Sequence, residues 1–224
     1  MLPEEGLILD AGTAMFRVRN HVATNRLDIF LTHAHLDHVV GLTYLLDVLY
    51  GTQVETVVVH GEAEKLSAVQ SHLFSPLLFP IVPPITWAPF VSPVTLECGA
   101  KVTGFPLAHP GGVLGYRIDW ADRSLAYVTD TMAAENADYV ARLRNVDVLI
   151  HECYFPDGCE EQAELTGHSC LTPVVRVAAA AKVGRLILVH INPIADELDA
   201  RSLRAARRIF PALEIGVDGM EITF

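Results

Sequence analysis

The sequence predicts a layered α/β fold in which two β-sheets are covered by helices. Short apolar, β-branched runs alternate with segments of helical spacing along the whole chain. Gly, Pro and Asp turns separate the runs between residues 94 and 129. The 224 residues, 51% hydrophobic and 19% charged, suit one substantial domain over 1–224 rather than a disordered chain.

Each element follows from its own pattern. Leu7 to Gly12 reads as a strand ending in a tight turn, and Leu27 to Leu31 as a second strand. Val39 to Tyr50 has helical spacing, with Gly51 as a C-cap. Thr56 to His60 is a buried-strand run and Glu62 to Leu73 a helix. The stretch Ser75 to Pro93 holds six prolines around Phe79, Trp87 and Phe90, and is expected to be an ordered loop that packs near the pocket rim. Val94 to Leu96, Val102 to Leu107, Val113 to Ile118 and Leu125 to Thr129 are short strands. Ala133 to Leu143 is amphipathic and predicts a helix, and Val146 to Ile150 predicts a strand. Thr172-Pro173 resembles an N-cap and first helical residue, opening a helix towards Lys182. Leu186 to Val189 is a strand and Glu197 to Ile209 a helix, with Leu213 to Val217 and Met220 to Phe224 closing the chain.

Charge and cysteine usage narrow the function classes. A formal net charge of −11 opposes non-specific attachment to nucleic acid or anionic membrane. It leaves room for an anionic substrate, because bound cations supply local positive charge. Cys98, Cys153, Cys159 and Cys170 lack metal-finger spacing and are expected to be free thiols. No signal peptide and no apolar stretch of membrane-spanning length is visible, so a cytoplasmic location is expected.

The string Thr32-His33-Ala34-His35-Leu36-Asp37-His38 carries the chemistry. It places three imidazoles and one carboxylate at the end of a predicted strand. These are the usual ligands of zinc and similar divalent ions. His33 and His35 share a strand face by alternation, while Asp37 and His38 lie in the following turn and reach a second centre. The local sequence is therefore half of a two-metal site. Further ligands are sought past other strands, and His109, Asp130 and His190 each stand just beyond one. A carboxylate such as Asp130 can bridge two cations.

These residues, in this order, resemble the metallo-β-lactamase superfamily, whose His-x-His-x-Asp-His motif matches His33, His35, Asp37 and His38. The resemblance covers nearly the whole chain. It implies a four-layer αββα sandwich of two mixed sheets flanked by helices, and a dinuclear metal hydrolase. It further implies that His33, His35 and His109 hold one metal, that Asp37, His38 and His190 hold the other, and that Asp130 bridges. Two divalent ions are the implied cofactors, zinc or manganese being the main choices.

Within that superfamily the C-terminal half is similar to ribonuclease Z and related phosphodiesterases. His151-Glu152-Cys153, Gly167-His168-Ser169 and Asp218-Gly219-Met220-Glu221-Ile222 carry the similarity. By it, His168 lies near the scissile phosphate and Glu152 supports it. Asp37 would also orient the nucleophile. Glu152 is expected to hydrogen-bond one ring nitrogen of His168, which would protonate the leaving oxygen.

Two departures qualify the resemblance. The chain begins almost at Leu9-Asp10-Ala11-Gly12, so the family's opening strand is expected to be missing or replaced. No basic Gly/Pro insertion resembles the tRNA-clamping arm, and Ser75 to Pro93 holds no lysine or arginine. A smaller phosphodiester, or another small ester, therefore fits better than tRNA processing. The alternatives are a carboxylic-ester hydrolase (a lactonase or a glyoxalase II-like thioesterase) and a non-hydrolytic metal-binding scaffold. A flavodiiron-like redox role fits less well, because such relatives carry Glu where this chain has His35. Relatives often pair, so the resemblance leaves a homodimer open. His60 and His151 are expected to be satisfied core or supporting histidines, and His21 and His72 surface residues. Arg201, Arg204, Arg207 and Arg208 are expected to form a solvated helix face.

Overall fold

In a computed structural model, residues 1–193 and 198–224 are described. They form two compact units, Met1–Cys98 and Gly99–Phe224, each built on its own sheet.

The first unit is a parallel sheet. Its strands β1 (Leu7–Leu9), β2 (Arg26–Phe30), β3 (Thr56–Gly61) and β4 (Thr86–Pro89) lie in that order, and each pairs parallel with the next. Leu27, Ile29, Val57 and Val59 point to one face, where Leu42, Leu45 and Leu66 from the crossovers bury them. The crossover after β2 is segmented rather than one helix. It runs as α1 (Leu36–Val39), a 3-10 turn (Val40–Tyr44) and α2 (Leu45–Leu49). Gly41 explains the close packing there, because a Cβ at that position would stand 2.1 Å from the Gly12 carbonyl oxygen. Gly51, at φ 71°, follows α2 as expected. α3 (Ala63–Ala68) opens into a π turn at Val69–Leu73. The proline-rich stretch is not all loop. It contains β4, which sits at the sheet edge, where proline costs no ladder hydrogen bond. A short β5 (Val94–Thr95) follows and belongs not to this sheet but to the edge of the seven-stranded one.

The second unit is a mixed sheet. Strands β6 (Lys101–Leu107), β7 (Val113–Asp119) and β8 (Ser124–Val128) form an antiparallel meander. Strands β9 (Val148–Glu152), β10 (Arg185–Val189) and β11 (Leu213–Ile215) extend it in parallel from β8. Between Glu152 and Leu171 lies α4 (Glu160–Thr166), a polar helix whose period the sequence did not betray. α5 (Leu171–Ala181) buries Val174, Val175, Val177 and Ala178 against this sheet. Each valine contributes about 1.5–3 kcal/mol of burial.

Several boundaries move for identifiable reasons. The expected helix at Ala133 to Leu143 is only a 3-10 segment at Asp138–Leu143. Upstream, tertiary partners anchor the chain instead: Met132 N–H donates to Ala108 O, and Ala133 N–H to Ser169 Oγ. The cap of α5 is Cys170 rather than Thr172, whose amide and hydroxyl both donate to the Asp157 carboxylate. α6 spans Ala200–Ile209 with Asp199 as its cap, and Glu197 lies outside the described residues. Met220 to Phe224 forms no strand, although Arg185 donates to Thr223 O. No helix among the described residues is long and apolar enough to cross a membrane. All four cysteines are free.

Candidate functional site

In the first unit, the donor cluster sits where β2 gives way to α1. His33 follows the strand by three residues, and His35 is the N-cap of α1. Asp37 and His38 occupy the first turn of α1 rather than a loop. That single helical turn places His38 Nε2 3.3 Å from Asp37 Oδ2. The His33 ring lies 4.3 Å, centroid to centroid, from both His35 and His38. His33 and His38 are buried, whereas His35 and Asp37 are exposed.

A carboxylate outside the expected site organises this cluster. Asp10 stands just past β1 in the left-handed region, at φ 56°. Its Oδ2 lies 2.8 Å from His38 Nδ1, and its Oδ1 accepts the Thr32 amide at 2.7 Å. An ionised Asp10 only accepts, so His38 Nδ1 and the Thr32 hydroxyl both donate to it. The Thr32 oxygen then accepts from His33 Nδ1 at 3.0 Å. Both rings thereby carry their proton on Nδ1 and keep a lone pair on Nε2, the tautomer a metal ligand requires. The loop is fastened in turn by Ala11 N–H to His38 O and Gly41 N–H to Ala11 O.

In the second unit, the later donors stand at successive strand ends. Asp130 lies two residues beyond β8 and His190 one beyond β10, with φ values of 46° and 52°. Left-handed backbone at non-glycine residues is uncommon, and its clustering at strand ends marks side chains held in a fixed direction. Asp130 faces a different histidine with each oxygen. Oδ1 is 3.5 Å from His190 Nε2 and Oδ2 is 3.8 Å from His109 Nε2. Two atoms about 2.0–2.2 Å from one tetrahedral cation stand about 3.3–3.6 Å apart. The Asp130–His190 and Asp37–His38 separations fall in or near that range. This donor set therefore suits divalent metal ions. His109 Nδ1 donates to Gly167 O at 2.9 Å, which again leaves Nε2 as the ligating atom.

His168 joins the same group. One ligand atom from each of Asp130, His168 and His190 lies within 4.8 Å of the others. The His168 ring stacks on Tyr154 at 4.4 Å, and its Nδ1 lies 3.1 Å from Glu152 Oε1. Glu152 is fully buried at the end of β9. It also accepts the amides of Thr131, Tyr154 and Ser169 at 2.7, 3.2 and 3.3 Å. Four donors on two oxygens fix that carboxylate in one orientation.

The remaining histidines have structural partners. His151 is buried between Tyr139 OH and the Glu152 carbonyl, and burial lowers its pKa. His60 donates to Asp28, which Arg26 also grips, and stacks on Phe30. His21 and His72 are exposed, as are Arg201, Arg204, Arg207 and Arg208. Sequence reasoning missed the roles of Asp10, Thr32 and Tyr154, although Thr32 opens the histidine string and Asp10 stands as a lone acid at a strand end.

A family model described as Beta-lactamase superfamily domain matches residues 7–191. Ribonuclease BN of Salmonella typhimurium is 35% identical over 126 residues, which cover 56% of this chain. That match spans only 38% of the relative's length. The metallo-beta-lactamase fold protein YhfI from Bacillus subtilis superimposes with a TM-score of 0.76 at 20% identity. The match covers 96% of this chain and 85% of YhfI. A diphosphatase from the PhnP family gives a TM-score of 0.74 at 21% identity, over 97% of this chain and 79% of its own. At such identities, the likeness to these two structures is one of fold.

Proposed function

This chain belongs to the β-lactamase superfamily, and on that premise we propose that it is a dinuclear metal-dependent phosphodiesterase acting on a small phosphodiester. Its two sheets and flanking helices are the metallo-β-lactamase fold. His33, His35 and His109 would hold one divalent cation, and Asp37, His38 and His190 the other, with Asp130 shared. Bound cations would polarise the phosphoryl oxygens and lower the pKa of a shared water.

The chain's own groups supply the rest. Asp37, exposed at the start of α1, orients the attacking water. His168 donates a proton from Nε2 to the leaving oxygen, since its Nδ1–H is engaged by Glu152. The buried Glu152 carboxylate stabilises the imidazolium and fixes the ring plane, and Tyr154 fixes its tilt.

The observation that carries this reading is the placement of a carboxylate-backed histidine beside the ligand histidines. The His168 ring centroid is 5.0 Å from that of His109 and 5.5 Å from that of His190. The test joins metal analysis to a panel of an aryl phosphodiester, a lactone and a glutathione thioester. Two equivalents of metal with selective diester hydrolysis are expected. His168→Ala should keep its metal yet lose about 10²–10⁴-fold in rate on diesters with poor leaving groups. Hydrolysis of the lactone or thioester alone would refute the assignment.

A further inference from the structure

A pocket of about 210 Å³ opens beside His168 in the second unit. Two helices and a turn wall it. α4 contributes Glu160, Ala163 and Glu164, which share a face by their spacing of three and four. α5 contributes Pro173, preceded by its cap Cys170. Met132, Ala133, His168 and Ser169 complete the lining.

The walls are fixed. Ser169 Oγ accepts the Ala133 amide and donates to Thr131 O, tying the Met132 turn to the His168 segment. Ala163, Ser169 and Cys170 are buried and form the pocket floor. Among the described residues, the lining contains two carboxylates and no lysine or arginine. An apolar cavity of about 150 Å³ already admits benzene. Hence this one has room for a single ring-sized group and not for a run of nucleotides. A second phosphate placed here would meet Glu160 and Glu164 with no compensating lysine or arginine in that lining.

We propose that this pocket receives the leaving group of the substrate and selects an uncharged or cationic, ring-sized group while rejecting an anionic one. The inference rests on the phosphodiesterase reading for its role and on the lining alone for its chemistry. Because His168 both lines the pocket and donates the leaving-group proton, the group that enters must be the one that departs.

Two measurements on the protein as purified test it. The first follows binding of benzyltrimethylammonium and of benzenesulfonate by ligand-observed NMR, in wild type, Ala163→Leu and the Glu160→Gln/Glu164→Gln double variant. The cation should bind wild type at least tenfold more tightly than the sulfonate. Ala163→Leu should abolish that binding, and the double variant should bring the preference below threefold. The second compares kcat/KM for two aryl diesters of matched leaving-group acidity, one cationic and one anionic, and the same tenfold preference is expected. Sulfonate binding equal to the cation's, or cation binding untouched by Ala163→Leu, would overturn the pocket. Intact cation binding without hydrolysis of either diester would overturn the phosphodiesterase reading, and with it the leaving-group role.

Discussion

Replacing Glu152 by Gln changes one atom and should cost far more than its size suggests. Each carboxylate oxygen serves two donors. Oε1 takes Thr131 N–H and His168 Nδ1, while Oε2 takes the amides of Tyr154 and Ser169. A glutamine amide offers one acceptor and one donor end. Turned one way, its NH₂ faces the Tyr154 and Ser169 amides; turned the other way, it faces the Thr131 amide, and His168 can accept from it only by moving its proton to Nε2, all at a position with no exposure. Leaving a buried polar group unsatisfied costs about 1–3 kcal/mol, so the better orientation costs at least that much. In a chain of this size, that lowers the melting temperature by roughly 2–12 °C. Urea denaturation should show the midpoint shift with an unchanged slope, because the surface exposed on unfolding is the same. Among the folded variant molecules, the His168 imidazole should lose its fixed orientation, and slow diester hydrolysis should fall with it. A Glu152→Gln variant within about 0.5 kcal/mol of wild type would refute the four-donor account of this carboxylate.

Four further outcomes follow from the same geometry. Gly41→Ala would drive a Cβ to 2.1 Å from Gly12 O and 2.4 Å from Met15 Cβ, so it should destabilise the chain by about 1–3 kcal/mol in urea melts. Gly167→Ala, at φ 75° with Pro110 Cδ 2.7 Å away, should lower the metal content measured after gel filtration, because it displaces the carbonyl that holds His109. Burial alone would raise the Asp28 carboxyl, but hydrogen bonds from His60 and Arg26 outweigh it and hold it below its ordinary value near 3.8. A lowered folded pKa adds stability above the unfolded value that is lost as pH falls through the folded one. Asp28→Asn should therefore flatten the acid limb of stability below about pH 4, and an unchanged limb would contradict the pairing. Burial, with help from the Glu160 and Asp157 charges, pushes Cys170 up to about 11. Iodoacetamide at pH 8 should then label exposed Cys98 long before Cys170, as peptide mass mapping would show.

The sequence determined the metal-binding chemistry and most of the strands. His33, His35, Asp37 and His38 crowd into one strand exit, and strand period and turn residues are local properties that survive without tertiary context. Helices fared worse where distant contacts anchor the chain, as the bond from the Ala133 amide to Ser169 Oγ does. Only the tertiary structure decided which groups aim the donors. Asp10 meets His38 across 28 residues, and Gly167 meets His109 across 58. Such pairs depend on the order of the strands in each sheet, and no local period encodes that order. The left-handed turns at Asp130 and His190 belong to the same class. Nothing in their side chains demands that backbone, and the packing around each strand end imposes it.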